Sequence, residues 1–165
     1  MAAGATYEPI ATYTLASPGT FTFTSIPGTY TDLRLVLNYT QGTSSSAQGY
    51  INNDNAGTSY SRTILYGDGT SAASTRSSSG SVFTFSPLST STIPVMVTFD
   101  FFNYASTSVY KTFLTQASAD QNGSGRTASQ VLLWRSTAAI TQIDLYGNGT
   151  FATGTTATLY GIKAA

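Results

Sequence analysis

The residue types that suit recognition of a small polar ligand lie between positions 50 and 68 of this chain. Tyrosines are interspersed there with amide and guanidinium side chains, and the set consists of Tyr50, Asn52, Asn53, Tyr60, Arg62 and Tyr66. Sugars are bound by aromatic faces beside amide and hydroxyl groups, and a tyrosine combines an apolar ring with a polar tip. These six residues are therefore predicted glycan contacts, although a chain with 11 tyrosines also forms such a cluster by chance.

Catalytic chemistry has few candidates. The chain contains no His and no Cys, whereas enzymes that move protons near neutral pH mostly use His, Cys or two close carboxylates. The acids are scattered: Glu8, Asp32, Asp54, Asp68, Asp100, Asp120 and Asp144. Asp100 interrupts an apolar strand pattern, and we expect it to pair with an Arg or Lys at a sheet edge. The sequence predicts a protein that is not an enzyme.

One segment resembles a metal site at first sight. Residues 52–57, NNDNAG, concentrate oxygen ligands before a glycine. The segment lacks a closing Glu, and Ca²⁺ usually requires more than one carboxylate. We interpret it as a turn of residues that tolerate left-handed backbone, and we expect neither a metal nor a cofactor.

The charge balance argues against several classes of partner. Seven basic and seven acidic residues give a net charge of zero. The arginines are spread along the chain: Arg34, Arg62, Arg76, Arg126 and Arg135. A nucleic-acid binder normally has a clustered basic excess, so we expect no nucleic-acid partner. The sequence shows neither a usual signal peptide nor an apolar run of membrane-spanning length, so we expect no membrane partner.

Alternation of apolar and polar residues dominates the chain and predicts strands. Residues 33, 35, 37 and 39 are Leu, Leu, Leu and Tyr, and the run at 20–24, TFTFT, has the same period. A turn signal at 26–29 separates the two runs, so we expect them to pair as neighbours. The run at 95–102 carries apolar residues at most positions, which predicts burial on much of both faces.

Three Ser/Gly-rich stretches, 41–49, 67–80 and 119–127, are predicted surface loops. The remaining pattern gives about nine or ten short strands and no convincing helix. We predict an all-β chain with a single domain at 1–165, an antiparallel β-sandwich that is jelly-roll-like, with a short N-terminal arm at about 1–7.

Four segments resemble a group of tailed-phage virion structural proteins of the marine and cyanobacterial phage type: 7–12 (YEPIAT), 26–37 (IPGTYTDLRLVL), 59–69 (SYSRTILYGDG) and 157–163 (ATLYGIK). The likeness extends over nearly the whole chain, and its pieces are strand and turn patterns. It implies a β-sandwich made in the host bacterial cytoplasm and assembled onto the capsid surface of a virion. The implied roles are a capsid cement or decoration protein, or a fibre-like component that contacts the host.

A decoration protein implies the major capsid protein as partner and a site at capsomer junctions. It also implies contacts with copies of itself, with a trimer favoured at three-fold points and a dimer as the alternative at two-fold points. Chain ends are normally mobile unless a partner holds them, so the arm is the predicted capsid contact. Its residues are Met1, Ala2, Ala3, Gly4, Ala5, Thr6 and Tyr7. The alternative function is a receptor-binding head or tail fibre module that recognises a host surface glycan.

Overall fold

The computed structural model describes residues 6–40, 47–86, 93–120, 122–147 and 149–163. This part of the chain contains twelve β-strands and no helix. In chain order they are β1 Tyr7–Thr14, β2 Phe21–Phe23, β3 Asp32–Tyr39, β4 Ala47–Ile51, β5 Tyr60–Gly67, β6 Ala72–Gly80, β7 Phe83–Ser86, β8 Val95–Phe101, β9 Lys111–Asp120, β10 Gly125–Trp134, β11 Ile143–Gly147 and β12 Thr156–Ile162.

The strands form two sheets. The large sheet has eight strands in the order β1-β12-β3-β8-β9-β10-β5-β6, and the small sheet has four in the order β2-β11-β4-β7. Neighbouring strands are antiparallel throughout, and the two sheets pack as a sandwich, which confirms the predicted fold class. The jelly-roll connectivity is consistent with this arrangement and stays a prediction.

The core lies between the facing surfaces of the two sheets. The alternating residues Leu33, Leu35, Leu37 and Tyr39 are all buried, as the sequence predicts. Aromatic rings fill the centre, and the Phe85 and Phe99 ring centroids lie 4.8 Å apart in an edge-to-face arrangement. Burying each such ring contributes about 1.5–3 kcal/mol to stability.

The predicted pairing of the runs at 20–24 and 32–39 is wrong. β2 pairs with β11 in the small sheet, whereas β3 lies between β12 and β8 in the large sheet. The backbone N–H of Ile26 donates to the carbonyl of Thr141, which holds the connection against the segment before β11. Both runs bury one face in the same core, but they do so from opposite sheets.

Two further expectations need correction. β8 is buried on one face only, because Met96 is 55% exposed on the other. Most of the stretch 67–80 forms β6, an edge strand with one strand neighbour, and the residues of β6 are small or carry hydroxyls, apart from Arg76. Such a strand has little to bury, so it needs no apolar alternation. Residues 47–49 belong to β4, and residues 119–120 and 125–127 lie in the paired ends of β9 and β10, whereas 41–46 and 121 lie outside the described residues.

Candidate functional site

The six predicted glycan contacts do not form one surface. Tyr60 lies in the core at 2% exposure, where its hydroxyl accepts a hydrogen bond from the Ile51 N–H at 2.8 Å and donates to the Asp54 carbonyl at 2.9 Å. Burial raises the pKa of Tyr60 far above its ordinary value. Tyr60 is therefore a structural residue with no free ring face.

Asn52 and Asn53 form the predicted turn after β4. Both adopt left-handed backbone, with φ of 52° and 57°. The Asn52 side chain accepts from the N–H groups of Thr141 and Gln142, each at 2.9 Å, and so fixes the approach to β11. This confirms the turn interpretation of the segment 52–57.

Asp54, the single acid of that segment, is committed to the fold. Its carboxylate accepts from the Ser59 hydroxyl at 2.6 Å, the Trp134 indole N–H at 2.7 Å and the Ala56 N–H at 3.2 Å. Burial alone would raise the pKa of Asp54, but these hydrogen bonds outweigh it, and the pKa is lowered.

Arg62 and Tyr66 lie apart from this turn, along β5. The Arg62 guanidinium donates to the Thr84 carbonyl at 3.1 Å, and burial lowers its pKa. Tyr66 lies under Arg126, whose guanidinium carbon is 4.8 Å from the ring centroid. Neither side chain joins Tyr50.

Tyr50 marks a cluster that the sequence did not reveal, on the outer face of the small sheet. Its ring centroid lies 5.7 Å from that of Tyr146 on β11. Between β2 and β4, Asp144 of β11 is the register partner of both Thr22 and Tyr50. The cluster borders a depression of about 270 Å³, lined by Thr20, Phe21, Thr22, Tyr50, Asp144, Leu145, Tyr146 and Gly149.

Asp144 is the chemical centre of this cluster. It is only 6% exposed, and its two carboxylate oxygens accept from the Thr22 hydroxyl and the Gln142 amide, each at 2.8 Å. The same amide nitrogen of Gln142 also donates to the Asn53 side chain at 3.1 Å. Burial, and then the negative charge of Asp144, raise the pKa of Tyr50.

The sequence contained one signal for the cluster of Tyr50, Asp144 and Tyr146, namely the alternation along β11. Ile143 and Leu145 point into the core, so Asp144 and Tyr146 must share the opposite face of the same strand. What the sequence lacked was the pairing of β11 with β4, which brings this face beside Tyr50.

The outer face of the large sheet has a different character. Leu114 lies between Asp100 of β8 and Val131 of β10 in register, and Leu114 and Val131 are each 42% exposed. Beside them, Met96 and Leu65 border a groove of about 470 Å³ whose other lining includes small hydroxyl side chains. Leu65 is 60% exposed.

Asp100 forms the predicted ion pair, but not at a sheet edge. The Arg34 guanidinium donates to its two carboxylate oxygens at 2.6 and 2.8 Å. Both residues lie on strands inside the large sheet, β3 and β8. The pair cancels the charge of Asp100 beside Leu114.

Several other charged side chains also serve the fold. Lys111 is 1% exposed and donates to two backbone carbonyls at 2.7 and 3.1 Å, and burial lowers its pKa. Arg135 donates to two carbonyls, at 2.5 and 2.6 Å. Lys163 pairs with Glu8 at 2.6 Å. These charges are therefore partly or wholly satisfied within the chain.

The predicted arm is described only at its end. Met1 to Ala5 lie outside the described residues. Thr6 is exposed and its carbonyl accepts from the Lys163 N–H at 3.0 Å, while Tyr7 is already the first residue of β1. Tyr7 is 47% exposed, and its hydroxyl accepts from Arg34 at 3.3 Å. The chain thus enters the fold beside the outer face of the large sheet.

The described residues define the class of protein as an all-β sandwich. Within them, no group of three or more His, Cys, Asp or Glu is placed to hold a metal, and no helix is long and apolar enough to cross a membrane. No protein-family model matches the sequence, and comparisons with curated proteins and with solved structures find no match either.

Proposed function

We propose that this protein is a capsid decoration protein of a tailed phage, which binds the outer shell at capsomer junctions and stabilises it without catalysis. The observation that carries the proposal is the outer face of the large sheet, where apolar side chains stand exposed among small hydroxyl groups. The resemblance of the four sequence segments to virion structural proteins is the basis for proposing a phage capsid as the particle and the major capsid protein as the partner.

The composition of this face suits contact with another folded protein. The centres of protein interfaces are depleted of charge, and Leu65, Met96, Leu114 and Val131 supply apolar contacts on this face. Along β9 the exposed side chains before the terminal Asp120 are uncharged: Thr112, Leu114, Gln116 and Ser118. Arg34 neutralises Asp100 on this face, and the exposed Arg76 of β6, the register partner of Thr63, lies at the edge of the sheet beyond Val131.

The mechanism is linkage between binding and assembly. A ligand that binds only the assembled shell stabilises it by an amount that grows with its concentration relative to Kd. Placement at three-fold points favours a trimer of this chain, and placement at two-fold points would use a dimer. The N-terminal residues extend this contact, because Tyr7 lies beside Arg34 at one side of the same sheet.

The first experiment is the copy number of this chain in purified virions, measured by quantitative mass spectrometry against the major capsid protein. A ratio near one, or a simple fraction of it, is expected. A count of a few copies per particle would overturn the decoration role and favour the receptor-binding fibre module.

A second experiment addresses the face itself. Shells lacking the protein are titrated with the native chain, with Leu114→Asp and with Gln48→Glu, which places a charge on the outer face of the small sheet. Leu114→Asp is expected to weaken shell binding by at least about tenfold, because a charge would be desolvated in the contact. Equal binding by all three chains would contradict the assignment of this face.

A further inference from the structure

The depression on the outer face of the small sheet has the composition of a carbohydrate site. We propose that it binds a neutral sugar ring, with Asp144 accepting hydrogen bonds from sugar hydroxyls while Tyr50 and Tyr146 contact the ring. Its volume of about 270 Å³ lies just below the range of about 300–1,000 Å³ for small-molecule sites, which suits a ligand of one ring. This site lies on the opposite sheet from the proposed shell contact, so it does not depend on the decoration role.

Asp144 provides the first argument. A carboxylate this buried costs free energy unless it is well satisfied, and here its described hydrogen bonds come from two neutral donors, Thr22 and Gln142. An ionised carboxylate offers about four acceptor positions. Two of them are used, and the remainder are available to hydroxyl groups of a ligand in the depression that Asp144 lines.

The two tyrosines provide the second argument. Their rings are tilted by 53° to each other and are half-buried, with Asp144 on the same face of the sheet. Tyrosine rings present apolar surface to the C–H groups of a sugar while their hydroxyls donate and accept at the margin. A buried carboxylate beside two such rings matches the alternation of apolar and polar faces on a pyranose.

The polar groups favour a polyol over an organic cation. A cation needs acceptors alone, whereas this site also carries the hydroxyls of Tyr50 and Tyr146, which can donate to a sugar; the hydrogens of the Thr22 hydroxyl and the Gln142 amide are already donated within the chain. Gln142 is held by Asn53 through two amide hydrogen bonds at 3.1 and 3.2 Å and donates to Asp144, so the carboxylate is held in place before a ligand arrives. Fixed donors and acceptors together are what a sugar requires for specificity.

The test uses saturation-transfer NMR on the full chain with methyl α-D-glucopyranoside, methyl α-D-galactopyranoside, methyl α-D-mannopyranoside and methyl N-acetyl-β-D-glucosaminide, and with tetramethylammonium as the cationic probe. At least one sugar is expected to receive saturation, with chemical-shift changes at Tyr50 and Tyr146. Absence of transfer to all four sugars, or shifts with tetramethylammonium alone, would overturn the proposal.

Variants locate the site. Asp144→Asn retains the shape of the side chain and is expected to weaken sugar binding about tenfold, the loss typical of hydrogen bonds to a charged acceptor. Tyr146→Leu removes a ring without touching the carboxylate and serves if Asp144→Asn unfolds. Leu114→Ser, on the other sheet, is the matched control and should bind as the native chain does. Undiminished binding by both Asp144→Asn and Tyr146→Leu would refute the site.

Discussion

The two outer faces of the sandwich use polar and apolar groups in opposite ways. On the large sheet, apolar side chains such as Leu65 and Met96 stand exposed, and the central ion pair of Arg34 and Asp100 is internally neutral. On the small sheet, Asp144 is buried and two aromatic rings flank it. A broad face with exposed apolar side chains suits a protein partner, whereas a buried acceptor in a depression suits a small polar ligand.

The largest effect is expected at Gly49 of β4 in the small sheet, where there is no room for a side chain. A Cβ at Gly49 would meet the Asp144 carbonyl oxygen at 2.4 Å and the Phe83 ring at 2.5 Å. Gly49→Ala should therefore cost about 3 kcal/mol of unfolding free energy, measured by urea denaturation. Gly57→Ala is the control, because a Cβ there meets nothing within 4 Å. Equal stability of the two variants would show that the small sheet adjusts freely.

Asp144→Ala should cost about 2 kcal/mol, because it leaves the Thr22 hydroxyl and the Gln142 amide without their acceptor. Leu114→Ala on the large sheet should change stability by less than about 0.5 kcal/mol, since its side chain is exposed. Thermal unfolding of both variants measures the contrast. Similar losses of stability in the two variants would mean that Asp144 is no more important to the fold than an exposed side chain.

The dependence of stability on pH tests the turn that follows β4 of the small sheet. The pKa of Asp54 is lowered from its ordinary 3.8, so the folded chain binds fewer protons there than the unfolded chain. The stability that the lowered pKa of Asp54 contributes is present at pH values above the ordinary pKa. It is lost as the pH falls through the lowered pKa. Urea unfolding from pH 6 to pH 2 should therefore show a steeper acid loss for the native chain than for Asp54→Asn. Identical profiles would contradict the role of the Ser59 and Trp134 hydrogen bonds.

A small effect is also expected at the ion pair of the large sheet. Asp100→Asn should cost less than about 1 kcal/mol and less again in high salt, because the Arg34 and Asp100 side chains are 38% and 24% exposed. Chemical denaturation at two salt concentrations measures this cost. A loss as large as that of Asp144→Ala would mean that the pair holds the sheet together.

The strand pattern of β3 was readable from the sequence, since a period of two with one buried face leaves little choice of structure. The pairing of β2 was not, because the turn signal at 26–29 is local and does not say whether the chain returns to the same sheet or crosses to the other. The sequence predicts a loop where β6 lies for a related reason: an exposed edge strand of mostly small residues buries too little apolar surface to impose an alternating pattern.

The sequence by itself determined that this protein has zero net charge and that its alternating residues form an all-β chain. Tertiary structure alone decided which side chains meet. Tyr50 and Tyr146 lie far apart in the chain and share a face only because β11 pairs with β4. The physical reason is that alternation fixes which way a side chain faces within its strand, whereas long-range strand pairing, set by the packing of the core, fixes its neighbours.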